Sequence, residues 1–455
     1  MNGNGEAWDR PADQGQAAEL AARVSATADR ATAVLGRAGT TGAFLCPPAV
    51  TRDPELVQIH AEAGRFFQAC LTGSWVPDYL ASRGLDAALL PTSPWKIGYA
   101  PATWTALTDH LHRLGHSDAA LLCSGLVTNR KNGQLRDRFH DRLMIPLRAE
   151  DGIVVAFIGR RPGAGDDHGP KYLNSPDTEL FTKGHVLAGL AEGRNALKAG
   201  AQPVLAEGPL DAIAVSIAAP GQFTGITPCG TALTGHQAAA LARAVELRER
   251  GMRVAMDADA AGRKAAVRAH ATLSPLVSGV IAVTFPDNAD PSSILENDGR
   301  QALADVLIKS TRPLADLVVD ARIEDWAYGR ELKFAELQIG ALRAAAQAIA
   351  TMPADEVGPQ AARLSATFAH SYGWKPEEVT REVIDAIERH YQGGPLARPV
   401  SGHSYHPADS PWAVVLRATA PPHPRLAAAD LGQATPAQIV RHTQLQQTRQ
   451  QKERA

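Results

Sequence analysis

A mixed α/β (α+β) fold is predicted by three features of the 455-residue sequence. Two short apolar runs end in acid and pass directly into a helical pattern, VLAEGPLD at 204–211 and VAMDADAAGRK at 254–264. Upstream, the β-rich runs Leu143 to Leu147 and Ile153 to Ile158 flank Asp151-Gly152, a pair suited to a tight hairpin turn. Downstream of Ser310, Leu314, Leu317, Val318, Leu332, Leu337, Leu342, Val379, Val383, Ile384 and Ile387 recur at helical spacing. The expectation is a sheet-bearing core followed by a C-terminal helical domain.

Taken in order, residues 1–54 read as an N-terminal helix and linker, partly disordered. Leu20, Val24, Ala28, Ala31 and Leu35 carry the helix, and Gly36 to Pro54 the linker. Residues 55–198 form a basic subdomain. Its helices hold Phe66, Phe67 and Leu71, then Val76, Tyr79 and Leu80, and Arg83-Gly84 stops the second. A strand from Trp95 to Tyr99, a helix from Thr103 to Leu114 and the hairpin follow, then a loop at 163–169 whose glycines fit neither a dinucleotide fingerprint nor a P-loop. Residues 199–310 carry the acids, including a helix at 235–248 opened near His236, and 311–392 the helical domain. The remainder, 393–455, is rich in Pro, Ala, Gln and His and reads as a disordered tail.

Composition narrows the function classes. A net charge of −2 predicts no nucleic-acid partner from bulk charge, so any basic surface must be local. The four cysteines form no C-x-x-C, which excludes a zinc ribbon within this chain and fits a reducing, cytoplasmic setting. No zinc is expected. No apolar run of membrane-spanning length and no signal peptide are read, so no membrane partner is expected.

Chemistry concentrates in Glu207, Asp211, Asp257 and Asp259, each at or just past the end of an apolar run. Parallel strands put their carboxyl ends along one edge, where ligands bind. Four carboxylates there repel one another unless a cation neutralises them, and oxygen ligands of this kind suit Mg2+ or Mn2+. Asp257 and Asp259 have a second reading as helix N-caps. The pairing E-G-x-x-D with D-x-D-x-A-G-R resembles the TOPRIM module of bacterial-type primases, type IA and II topoisomerases and OLD-family nucleases. That resemblance implies a parallel-core sheet flanked by helices, and leaves open whether phosphodiester bonds are made or broken.

Cations precede the acids: Arg83, Arg136, Arg138, Arg142, Arg160, Lys171 and Lys183. Singly each reads as a solvated charge or an ion-pair partner. Arg160, however, ends an apolar strand, and Lys171 and Lys183 flank the turn-rich Asn174-Ser175-Pro176-Asp177, so they can face one cleft. The runs DRFHDRLMIPL, VVAFIGRR, PKYLNSPDTELFTKG, LAEGPLD, DADAAGRKAA and DPSSIL resemble, in order and spacing, the RNA polymerase domain of DnaG-type bacterial primases over roughly Leu80 to Gly299.

The resemblance implies a nucleotidyltransferase that makes short RNA primers from ribonucleoside triphosphates on a single-stranded DNA template. It implies Mg2+ or Mn2+ as cofactor and a replicative helicase or polymerase as partner. Matched by position, Arg83, Arg138, Arg160, Lys171 and Lys183 are expected to hold nucleotide and template, with Arg142 and Asn174 beside them in the same runs. Glu207 corresponds to the acid/base carboxylate, joined by Asp257 and Asp259 as catalytic acids. Glu207, Asp211, Asp257, Asp259 and Asp290 correspond to the metal set.

Three departures are visible. Ser292 stands where the family usually has a second acid after Asp290-Pro291, His140 replaces an arginine, and residues 1–60 hold one cysteine where the family has a zinc-binding domain. The missing zinc-binding domain and the unusual tail suggest a primase serving a plasmid, phage or conjugative element. A TOPRIM nuclease and a non-catalytic adaptor for single-stranded DNA or a helicase stay open as alternatives. The first leaves the Lys171 and Lys183 segment unexplained, and the second leaves four acids without a purpose.

Overall fold

The computed structural model describes residues 22–26, 52–131, 133–163, 169–230, 232–286 and 288–391. Most of the expected N-terminal helix, the linker, most of the 163–169 loop and the tail lie outside these residues; 22–26 are helical.

The first helix, α1 (Pro54–Ala69), starts where Asp53 accepts a hydrogen bond from the Glu55 amide and Pro54 occupies the first turn. It packs Leu56, Ile59, Ala63 and Phe67 onto an antiparallel sheet of β1 (Gly98–Ala100), β4 (Arg142–Arg148), β5 (Val154–Arg160) and β6 (Tyr172–Asn174), in the order β1-β4-β5-β6. The hairpin joining β4 to β5 turns at Gly152, whose φ of +91° lies in the region glycine favours. The strand expected from Trp95 begins only at Gly98. Trp95 and Ile97 are buried there as core residues outside the ladder. A two-stranded ribbon, β2 (Val127–Asn129) with β3 (Leu135–Asp137), projects beside this sheet.

The second sheet runs β11-β10-β9-β7-β8. Its members are β7 (Gln202–Ala206), β8 (Phe223–Ile226), β9 (Arg253–Ala255), β10 (Ile281–Val283) and β11 (Thr311–Pro313). β10, β9, β7 and β8 are parallel, and β11 pairs antiparallel to β10 at one edge. Alternation sorts its faces. Val204, Ala206, Ala255 and Val283 pack on one side with helices Pro209–Ala218 and Pro291–Lys309, while Leu205, Ile226, Val254 and Ala282 pack on the other with Gly235–Ala244 and Ala260–Leu273. Both faces are covered, and the strands turn apolar residues to each. The helix at Gly235–Ala244 ends four residues short of the expected 248, because Val245 turns extended before Leu247–Arg250 makes a separate turn.

Four helices close the described chain, Leu314–Ala327, Ala335–Ala350, Ala354–Tyr372 and Pro376–Tyr391, around a separate core of Leu342, Ile349, Leu364, Phe368, Val383 and Ile387. Trp326 and Trp374 pack against this core. No helix among the described residues is long and apolar enough to cross a membrane.

Candidate active site

The acids meet where parallel strands run out. Glu207 follows β7, and Gly208-Pro209 starts the next helix so that Asp211 falls in its first turn, buried against Ser292. The Thr227 hydroxyl donates to the Glu207 carbonyl at 2.9 Å and so ties the end of β8 to that of β7. After β9 come Asp257 and Asp259. Asp259 caps the helix Ala260–Leu273 by accepting from the Gly262 amide at 2.7 Å. A Cβ on Gly262 would lie 2.1 Å from the Asp257 carbonyl oxygen, so glycine lets this helix close onto the acid-bearing turn. Asp290 caps Pro291–Lys309, accepting from the Ser293 amide at 2.6 Å.

Capping uses one carboxylate oxygen of Asp259 and of Asp290, so the N-cap reading and the ligand reading coexist in both. Asp257 differs. Its Oδ1 is buried without a hydrogen-bond partner, and its pKa is pushed up to about 7 by burial and by the fields of Glu207, Asp211, Asp290 and Asp259. Burial, then Asp290, lifts Asp211 to about 6. Glu207 is raised by partial burial and by Asp259, although a backbone hydrogen bond from Asp257 works the other way.

An edge of oxygen donors that cannot all ionise without help fits a hard divalent cation. Glu207, Asp211, Asp257, Asp259 and Asp290 are the residues able to hold one. Among the described residues no three His, Cys, Asp or Glu side chains are already drawn into a ligand cluster.

Tyr172 lies within the fields of both Arg160 and Asp211, so the end of β5 comes near this edge. Arg160, last in β5, stacks over the Tyr79 ring at 4.4 Å, with Arg83 at 5.9 Å from the same ring. Its Nε is buried without a partner, as is that of Arg83. Arg138 donates from Nε and Nη2 to the Asn174 carbonyl at 3.1 and 2.9 Å. The Asn174 side chain donates in turn to the Cys229 carbonyl, bridging the two sheets at 3.2 Å. Lys171 and Lys183 are exposed, Lys171 lying 5.8 Å from the Tyr172 ring centre.

Arg142 stands apart from the expected ligand-binding group. It is 3% exposed and donates from Nη1 to the carbonyls of Gly159 and Pro170, so it braces β5 and the chain entering β6.

Tyr79 was legible only as a helix-core residue, yet it carries both Arg83 and Arg160. Trp104 likewise emerges only in three dimensions, 43% exposed, with His140 stacked on it at 3.9 Å and Arg136 over its ring at 4.8 Å. Tyr79 and Arg83 stand four residues apart, but Arg160, and the partners of Trp104, lie too far off in sequence for periodicity to connect them. His236 lies exposed in the first turn of its helix against His185, ring centres 4.2 Å apart, and Cys229 is buried.

Residues 66–194 match the family model for the N-terminal domain of the DNA primase catalytic core, and 204–295 match a Toprim-like model. The DNA primase of Mycolicibacterium smegmatis is 31% identical over 346 residues, 74% of this chain and 52% of the relative. That of Neisseria meningitidis is 36% identical over 241 residues, 52% of this chain and 38% of the relative. The chain thus spans about half, or less, of the length of these curated relatives.

Among solved structures, the RNA polymerase domain of Mycobacterium tuberculosis primase DnaG in complex with a double-stranded DNA oligomer bearing a 6-nucleotide overhang is 30% identical, with a TM-score of 0.57. The alignment covers 69% of this chain and 97% of that one. The DnaG primase catalytic domain bound to single-stranded DNA is 26% identical with a TM-score of 0.57, covering 71% and 98%. With two consecutive family matches over the sheets just described and a relative matched across nearly its whole length, the chain belongs to the DnaG-type DNA primase family.

Proposed function

We propose that the chain synthesises short RNA primers on single-stranded DNA, by transfer of a nucleotidyl group from a ribonucleoside triphosphate to a 3′-hydroxyl with release of pyrophosphate. The observation that carries this reading is Asp257: a half-buried carboxyl raised to about 7 by burial and four other acids, with one oxygen unpartnered. Such an edge is suited to a cation and, through it, to a polyphosphate.

Mg2+ or Mn2+ bound here would neutralise charge on the attacking and leaving oxygens. Glu207, at the rim, accepts the proton of the attacking hydroxyl on its carboxylate. Lys171 and Lys183 hold the triphosphate, with Arg160 and Arg83 lining the approach from the Tyr79 side. Arg138 and Asn174 fix the end of β6 for the template backbone. DNA as template is supported by the DNA-bound relatives, and in this reading a replicative polymerase in the cytoplasm takes over the primer.

The test is incubation of the full chain with single-stranded DNA, labelled ribonucleotides and Mg2+ or Mn2+, beside Glu207→Gln. Short RNA products that fall at least about 100-fold in the variant are expected, given the usual weight of one acid/base group. DNA shortening without RNA would instead indicate a nuclease, and tight DNA binding with neither activity an adaptor. Lys171→Ala should lower synthesis far more than DNA affinity; equal losses would remove it from the nucleotide site.

A further inference from the structure

Ser292 is 4% exposed and joins three side chains that the sequence keeps far apart. Its hydroxyl lies 3.2 Å from Arg83 Nη2 and 3.1 Å from Asp290 Oδ1. Its amide donates to Asp211 Oδ1 at 3.2 Å. The hydrogen-bond polarity has only one solution. A guanidinium can only donate, an ionised carboxylate can only accept, and a hydroxyl does one of each. The chain therefore runs Arg83 to Ser292 to Asp290.

Arg83 is fixed for this part. It ends the helix Val76–Ser82, and the turn at Gly84, with φ of +66°, brings the backbone against Leu295. Its guanidinium spans one helical turn of Pro291–Lys309, meeting Ser292 with Nη2 and Glu296 Oε2 with Nη1 at 3.3 Å. An acid at position 292 would accept from Arg83 as an ion pair but, when ionised, could donate nothing to Asp290. The hydroxyl passes the polarity on.

We propose that Ser292 is a positioning residue that couples the basic subdomain to the metal edge, so that the orientation of the Asp290 carboxylate, and with it cation affinity, depends on Arg83. This rests on the reading of Asp290 as a metal ligand. It makes a prediction opposite in sign to simple electrostatics. Deleting a cation near a cluster of acids should tighten the binding of another cation, whereas deleting a partner that orients a ligand weakens it, commonly by tenfold or more.

The measurement is Mn2+ affinity of the full chain, read from the paramagnetic resonance of free Mn2+, with thermal melts to confirm folding. Arg83→Ala and Ser292→Ala should each weaken Mn2+ binding by roughly tenfold. The double variant should lose no more than either single one, since both break one relay. Ser292→Thr, which keeps the hydroxyl, should restore wild-type affinity. Unchanged or tighter binding in Arg83→Ala, or additive losses in the double variant, would overturn the relay. Should Arg83→Ala fail to fold, Ser292→Ala, which removes one oxygen, decides alone: wild-type affinity there overturns it. Asp257→Asn separates this from the underlying reading. If that variant binds Mn2+ like wild type, the acid edge is not the metal site and both readings fall.

Discussion

Asp257 bears opposing demands. Burial and four neighbouring acids push its pKa up to about 7, and its Oδ1 has no partner. A carboxyl held so far above its ordinary value is a local cost to the metal-free fold. Asp257→Asn keeps the shape and removes the charge. It should raise the melting temperature of the metal-free protein at pH 7.5 by about 2–4 °C, the equivalent of roughly 1 kcal/mol, while abolishing most of the stabilisation that Mn2+ confers. Differential scanning fluorimetry with and without Mn2+ checks both halves. At this scale the acids were readable from the chain, since each follows a short apolar run. Their energies were not: the shift on Asp257 comes from burial and then from Glu207, Asp211 and Asp290, and only the fold supplies either. Arg142 shows the reverse. Its charge type matches its neighbours in the sequence, and its burial against the carbonyls of Gly159 and Pro170 is visible only in the fold.

Among the elements, the turns between strand and helix matter most, because they aim the acids. The helix Ala260–Leu273 approaches the Asp257 backbone so closely that an added methyl on Gly262 would sit 2.1 Å from a carbonyl oxygen. Gly262→Ala should therefore cost about 1–3 kcal/mol in chemical denaturation, in the range of overpacking, and should weaken Mn2+ binding by tilting Asp259 off its cap. A stability loss without any change in Mn2+ affinity would show that the turn's geometry is not what orients the acids. Both strand-to-helix units were legible as an apolar run, an acid and a helical period. The strands β8, β10 and β11 were not, since Phe223–Ile226, Ile281–Val283 and Thr311–Pro313 are three or four residues long and lack the length for periodicity.

Across the whole molecule, two couplings can be measured. Glu356 in the helical domain accepts from the Gly279 amide at 3.0 Å and meets His270 Nε2 at 2.8 Å, a buried joint between that domain and the helix carrying Asp259. Glu356→Ala should destabilise the protein by about 3–5 kcal/mol, as loss of one partner of a buried pair does. It should also open the helical domain to limited proteolysis before the sheets.

The second coupling is to pH. Asp257 and Asp211 have folded values near 7 and 6, above the ordinary 3.8, so the folded protein binds their protons more tightly than the unfolded chain. Their contribution to stability is whole below about pH 4 and is lost as pH rises through 6 to 7. Mn2+ reverses this by replacing the protons, so its stabilisation should be larger at pH 7.5 than at pH 5.5. Equal melting shifts at the two values would place the cation elsewhere.

The sequence by itself determined the mixed α/β class, the two acid-bearing units and the family resemblance, because strand, turn and helix signals and ordered motifs are local properties of the chain. Only the tertiary structure decided which groups share a site. Tyr79 with Arg160, Asn174 with Cys229, and Arg83 with the Asp290–Ser292 turn are each separated by dozens to hundreds of positions. Their energies depend on distance in space and on burial, and neither is a property of any stretch of the chain taken alone.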